Sequence, residues 1–203
     1  MERGYFLGVC FKYIGTSFIL GFNLMRITKV TTRNGDYGKT NLAKGDVVSK
    51  DSLIIKTLGE IDELNSHIGF AISLINEPNI VDELKSIQND LFDMGGLISL
   101  FDNENRFSQE KVIFLDHRIE YYNSELSPLS EFILPGGDQF SSLLHILRTI
   151  TRRAERSLVS LFLETINDDN NMLKYLNRLS DYFFVLSRQY NHQKGINENI
   201  WKR

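Results

Sequence analysis

From Ile54 onwards the apolar residues recur in alternating steps of four and three. The series is Ile54, Leu58, Ile61, Ile68, Ile72 and Ile75, with Asn65 in the one slot it skips. Such spacing places the side chains on one face of an α-helix. Glu77-Pro78 is expected to end that helix, because the residue before a proline is pushed out of helical geometry. Later stretches predict a second helix from Val81 to Leu100, a third from Gln109 to Leu126 and a fourth from Gln139 to Thr165. A fifth runs from Asn170 to Asn191, after the cap-like run Asn167-Asp168-Asp169-Asn170. Five helices joined mostly by short connections predict an all-α, antiparallel five-helix bundle.

Two stretches fall outside this pattern. Residues 26–50 include "KVTTRNGDYGKTNLAKGD", in which Asn34-Gly35 and Gly38 offer positive-φ backbone, and they read as a loop. Residues 1–24 are apolar and aromatic, with Lys12 inside the run. A signal peptide, a membrane anchor and a start-site artefact preceding a natural start at Met25 are the three readings. Lys12, a short charged start and the lack of a small-residue cleavage site favour the third. An extension of this kind is expected to be poorly ordered, with one domain over residues 25–203.

Composition narrows the chemistry. The chain has 203 residues, of which 42% are hydrophobic and 24% charged, with a net charge of −3. That is the balance of one globular domain, and it lacks the basic excess of a nucleic-acid binder. A single cysteine, Cys10, excludes an intrachain disulfide. The four histidines share no metal-site spacing, so no protein metal site is expected from them.

Against this acidic background, positive charge is concentrated on the fourth helix. In "RTITRRAERSLVSL", Leu143, Leu147, Ile150, Ala154, Leu158 and Leu161 line the core stripe. Arg148, Arg152, Glu155 and Arg156 fall on the far side, with Arg153 towards one edge. A solvated face with pairs such as Arg152–Glu155 is the ordinary explanation. The density of arginine points instead to a phosphorylated ligand, since its planar fork suits phosphate oxygens. Gly38-Lys39-Thr40 imitates the end of a Walker A loop, but Arg33 stands where that motif needs glycine. What remains is a glycine-rich loop able to wrap phosphates with backbone N–H groups. Asn65, Asn177 and Arg178 are polar intrusions among core residues and need partners.

Five segments, "TTRNGDYGKT", "GEIDELNSHIGF", "FILPGG", "RTITRRAER" and "YLNRLSDYFFVLSR", stand in an order and spacing that resembles the PduO-type ATP:cob(I)alamin adenosyltransferases. The likeness spans about residues 26–190, nearly the whole chain beyond its N-terminal extension. It implies a bundle that assembles as a homotrimer with sites between subunits. It also implies transfer of the 5′-deoxyadenosyl group of ATP to the cobalt of cob(I)alamin, with release of triphosphate. ATP is then the co-substrate, Mg²⁺ its companion and cobalamin the acceptor. The implied partners are a cobalamin reductase and an adenosylcobalamin-dependent enzyme, with no membrane or nucleic acid. No arginine- and serine-rich presequence is evident, which favours the cytoplasm.

Residue by residue, the resemblance assigns ATP to Thr32, Arg33, Asn34, Gly35, Thr40, Asn41 and Lys50, and to Arg152, Arg153, Glu155 and Arg156. Asn177 falls near ATP and its metal. Asp62 and Arg148 match a pair that bridges subunits, and Phe132 matches the aromatic residue on the lower face of the corrin. Reduced cobalt is itself a strong nucleophile, so the protein has to position, stabilise and exclude water rather than supply a nucleophile. Asn34 and Asn41 stand where small hydroxyl residues are common, and Thr151 where cysteine is common. Both asparagines still donate hydrogen bonds. Two rivals are a non-catalytic corrinoid carrier on the same bundle and a helical scaffold whose arginine face binds RNA or protein.

Overall fold

A computed structural model describes residues 31, 33, 35–100, 106–165 and 170–202. The N-terminal extension, Thr32, Asn34 and most of the cap-like run before the fifth helix lie outside the described residues. Five helices follow a short hairpin: α1 Leu53–Ile72, α2 Pro78–Leu100, α3 Gln109–Ser124, α4 Gln139–Thr165 and α5 Asn170–Gln193. α4 packs against α5 and α1, α5 against α3, and α1 against α2. The facing pairs fix the directions. Thr57 meets Ser157 and Glu63 meets Arg153, so α1 and α4 are antiparallel. Glu155 faces Asn177 and His145 faces Ser187, so α4 and α5 are antiparallel too.

The periodic residues form the core. Ile54, Leu58, Ile61, Ile68 and Ile75 are buried, as are Leu143, Leu147, Ile150, Ala154, Leu158 and Leu161. Asn65 is buried on the same stripe and donates to the Gln88 carbonyl oxygen at 3.2 Å. Gln88 donates in return to the Asn65 carbonyl oxygen at 3.1 Å. The skipped slot is therefore a reciprocal amide clip between α1 and α2, which satisfies polar groups that burial would otherwise penalise.

Several boundaries differ from expectation: α1 stops at Ile72, short of Glu77-Pro78, and α5 runs on to Gln193 rather than Asn191. α2 begins at Pro78 rather than Val81, since proline at the first helical position loses only an N–H that has no intrahelical partner. α3 stops at Ser124, two residues short of Leu126. The stretch read as a loop contains an antiparallel hairpin, β1 Lys39–Asn41 and β2 Val47–Ser49. Its turn closes through Leu42 N–H to the Asp46 carbonyl at 2.8 Å, with Gly45 at φ +98°. Leu42 is buried in the core and Ala43 N–H donates to Ser99 Oγ at 3.1 Å, so the tip is moored to the end of α2. No helix among the described residues is long and apolar enough to cross a membrane.

Candidate functional site

The arginine face lies on α4, opposite its core stripe. Arg152 and Arg156 are exposed, while Arg148, Arg153 and Glu155 are half-buried. The Arg152–Glu155 pair that would mark an ordinary solvated face is not formed. Instead Arg153 pairs with Glu63 of α1, and Arg156 Nη1 donates to the Arg152 carbonyl oxygen at 2.9 Å. Glu155 accepts from Asn177 Nδ2 across the seam to α5 at 3.4 Å. Arg148 Nε is buried with no hydrogen-bond partner among the described residues. Like charges are thus held on one face, with Arg152 turned to solvent and no carboxylate bonded to it among the described residues.

Asn177 is held from behind. Arg178 Nη1 donates to its Oδ1 at 2.9 Å, and Arg178 Nε donates to Asp116 of α3 at 2.7 Å. This chain, Asp116 to Arg178 to Asn177 to Glu155, turns the amide NH₂ towards α4. One turn on, burial pushes the Asp181 carboxyl above its ordinary value, opposed by the charges of Arg178 and Arg152.

In the glycine-rich loop, Arg33 adopts φ +60°, a left-handed conformation rare outside glycine. Lys50 N–H donates to the Gly38 carbonyl at 2.9 Å, and the Lys50 ammonium lies where a Cβ on Gly35 would sit only 2.7 Å away. The hairpin therefore brings Gly35 and Lys50 together, although they are distant in sequence. Thr40 is buried in β1 and Asn41 half-buried beside it. No hydrogen bond joins this loop to the arginine face among the described residues. Nor does one join Asp62 to Arg148, although Asp62 is exposed beside the Glu63–Arg153 bridge.

Phe132 projects from the loop between α3 and α4, 75% exposed. The C-terminal segment runs alongside it, and the Trp201 ring meets the Phe132 ring edge-on at 6.4 Å. Sequence reasoning passed over this segment. Its one signal was a lone tryptophan in the polar run "GINENIWKR". Behind the loop, His145 is buried with its Nε2 3.3 Å from Ser187 Oγ and its Nδ1 unpartnered. Burial pushes its pKa down, the Arg148 charge adds to that and Glu198 opposes it. The ring is thus kept neutral at physiological pH.

The chain matches the sequence model of the family described as cobalamin adenosyltransferase over residues 30–190. It is 45% identical over 181 residues to the corrinoid adenosyltransferase of Bacillus subtilis (strain 168), covering 86% of this chain and 93% of that one. It is 43% identical over 183 residues to the cobalamin adenosyltransferase of Cupriavidus metallidurans, covering 88% and 96%. Among solved structures, a variant of the PduO-type ATP:corrinoid adenosyltransferase from Lactobacillus reuteri, complexed with cobalamin and ATP, is similar with a TM-score of 0.79 and 36% identity. The match covers 86% of this chain and all of that one.

Proposed function

Because the chain belongs to the cobalamin adenosyltransferase family, we propose that its arginine face, glycine-rich loop and Phe132 loop together carry adenosyl transfer from ATP to cob(I)alamin. The observation that carries this reading is the exposed Arg152 on a face where Arg153, Glu155 and Arg156 are already engaged. Arg153 is paired with Glu63, Glu155 with Asn177, and Arg156 with the helix backbone. Arg152 is left to meet a ligand. The triphosphate is a chemical match, because its charge builds up as the C5′–O bond breaks and a planar guanidinium can take two of its oxygens. Arg33, Gly35, Thr40, Asn41 and Lys50, with Thr32 and Asn34, would wrap the rest of ATP.

Mg²⁺ prefers oxygen ligands, and Glu155 supplies a carboxylate oxygen that the Asn177 NH₂ orients. Glu155 would hold the ion, which supplies neutralisation of triphosphate charge. Phe132 would face the corrin from below, excluding water and a lower axial ligand and easing reduction of Co(II).

Uncovered apolar side chains on α4 support a homotrimer with shared sites. Leu163 is 82% exposed on α4, and Ile146 and Val159 are also uncovered, while Arg148 Nε has no hydrogen-bond partner among the described residues. A second copy would cover this apolar surface and bring Asp62 to Arg148. Asp62→Asn is then expected to weaken corrinoid turnover about tenfold with little change in ATP affinity. Steady-state kinetics with each substrate varied would check it, and unchanged corrinoid kinetics would sink the pairing. The enzyme would work in the cytoplasm, fed by a cobalamin reductase and supplying an adenosylcobalamin-dependent enzyme.

The testing experiment is anaerobic. Purified protein, cob(I)alamin, ATP and Mg²⁺ are mixed, and the Co(I) absorption band is followed. ATP-dependent decay to a light-sensitive cobalt–carbon product is expected. ATP binding without decay would indicate a corrinoid carrier instead.

A further inference from the structure

We infer that the Arg188–Glu198 ion pair is a latch that positions Phe132, by clamping the C-terminal segment 196–201 across the 132–138 loop. Arg188 sits near the end of α5 with its side chain only 6% exposed. Its Nε donates to Glu198 Oε1 at 2.7 Å and its Nη2 to Glu198 Oε2 at 3.2 Å. Nη2 also donates to the Ser127 carbonyl oxygen at 3.1 Å. This is the bidentate fork that gives arginine pairs their directional strength. One guanidinium therefore ties together three pieces of chain: α5, the C-terminal segment and the start of the loop that bears Phe132.

Beyond the latch, the segment follows the loop by backbone pairing. Leu134 N–H donates to the Asn199 carbonyl at 2.7 Å and Trp201 N–H to the Phe132 carbonyl at 2.8 Å. These two bonds flank an antiparallel bridge between Ile133 and Ile200. On its far side the loop is pinned by buried Asn191 of α5. That side chain accepts from Asp138 N–H at 3.2 Å and donates to the Gly136 carbonyl at 3.2 Å. The fit is close, since a Cβ on Gly137, at φ +119°, would lie 2.3 Å from the Asn191 amide.

Phe132 itself is held by little. Its ring is three-quarters exposed, so its direction is set by the backbone of residues 132–134. That backbone is bonded to a segment which is in turn held by Glu198. Removing the carboxylate would leave the Arg188 charge buried and unpaired, which makes this pair costlier to break than an exposed one. Arg188 and Glu198 are thus positioning residues, and neither need touch substrate. The proposal rests on the reading of Phe132 as corrin-facing.

Trp201 is the only tryptophan in the chain, so intrinsic fluorescence reports on the segment directly. Glu198→Arg in the full-length protein sets two guanidinium groups against each other, and Glu198→Gln removes the charge with little change of shape. Both are expected to shift Trp201 emission to longer wavelength and raise its quenching by acrylamide, Glu198→Arg more strongly, with helical circular dichroism retained. In Glu198→Arg, turnover starting from Co(II) should fall about tenfold or more with ATP affinity unchanged, a loss of about 1.4 kcal/mol or more. If Glu198→Arg disturbs the helices, the milder Glu198→Gln carries the test. Unmoved emission and quenching would overturn the latch. Altered emission with unchanged turnover would overturn its positioning role. Phe132→Ala serves as the control: if it too leaves the Co(II) route intact, the corrin-facing reading has failed rather than the latch.

Discussion

Arg152→Ala is expected to lower adenosyl transfer by about two to three orders of magnitude, the usual loss when one preorganised donor to developing negative charge is removed, and to leave the bundle folded. The two halves of that expectation have separate causes. Arg152 is exposed on the outward face of α4, and no ion pair or hydrogen bond of its side chain appears among the described residues. The side-chain bond that reaches it, from Arg156 Nη1, is accepted by its backbone carbonyl oxygen, which alanine keeps. Alanine is also the best helix former. Nothing in the core therefore depends on the guanidinium, while the departing triphosphate would lose a planar two-pronged donor. The pairing of measurements decides the matter: the rate of Co(I) decay at saturating ATP, and far-ultraviolet circular dichroism. Full activity would show that the face is ordinary solvated surface. Loss of helicity would show that it is structural.

The helices were legible because burial in a bundle imposes a 3.6-residue period on every strip of sequence that forms it. α4 shows this best, since its predicted core stripe and its arginine face both stand where the spacing put them. The hairpin was not legible. Its strands are three residues each, "KTN" and "VVS", too short to show alternation. They are held by a moored turn and by Leu42 rather than by an apolar face. Side-chain partners across helices were also out of reach. The spacing said that Asn65 needed a partner, but only the crossing of α1 and α2 makes that partner Gln88. The C-terminal segment was the largest omission. It pairs with the Phe132 loop through backbone groups, which any sequence carries, so its composition announces nothing. Thr32 and Asn34 belong to the reading of the ATP loop and lie outside the described residues.

Glu83→Ala is expected to give the largest loss of stability among single changes away from the site, with little effect on the kinetic constants of the folded enzyme. Glu83 is a hub on α2. Arg118 of α3 pairs with it at 2.5 Å, and the hydroxyls of Tyr122 and Tyr182 donate to it at 3.1 Å and 3.0 Å. The Arg118 guanidinium also lies over the rings of Tyr121 and Tyr122, at 4.4 Å and 4.7 Å. One carboxylate thereby joins α2, α3 and α5, with Tyr182 fully buried and Tyr122 nearly so. Its removal leaves a partly buried cation and two buried hydroxyls short of an acceptor. The expected cost is about 3–5 kcal/mol, or about 10 °C in Tm for a chain of this size. Glu83→Gln, which keeps an acceptor oxygen, should fall between. Thermal unfolding of both variants checks the ranking, and a Tm within a degree of the parent for Glu83→Ala would refute the hub. The same cluster fixes an alkaline limit. Burial pushes the Tyr122 hydroxyl up from 10.0 to about 12, with Arg118 opposing and Glu83 reinforcing. The folded form then keeps a proton that the unfolded chain has lost, so this contribution is complete below pH 10 and disappears as pH rises towards 12. Because the hub joins α2, α3 and α5 while the arginine face lies on α4, stability and turnover are expected to part company in these variants. Arg152→Ala would lose rate and keep Tm, and Glu83→Ala would lose Tm and keep rate.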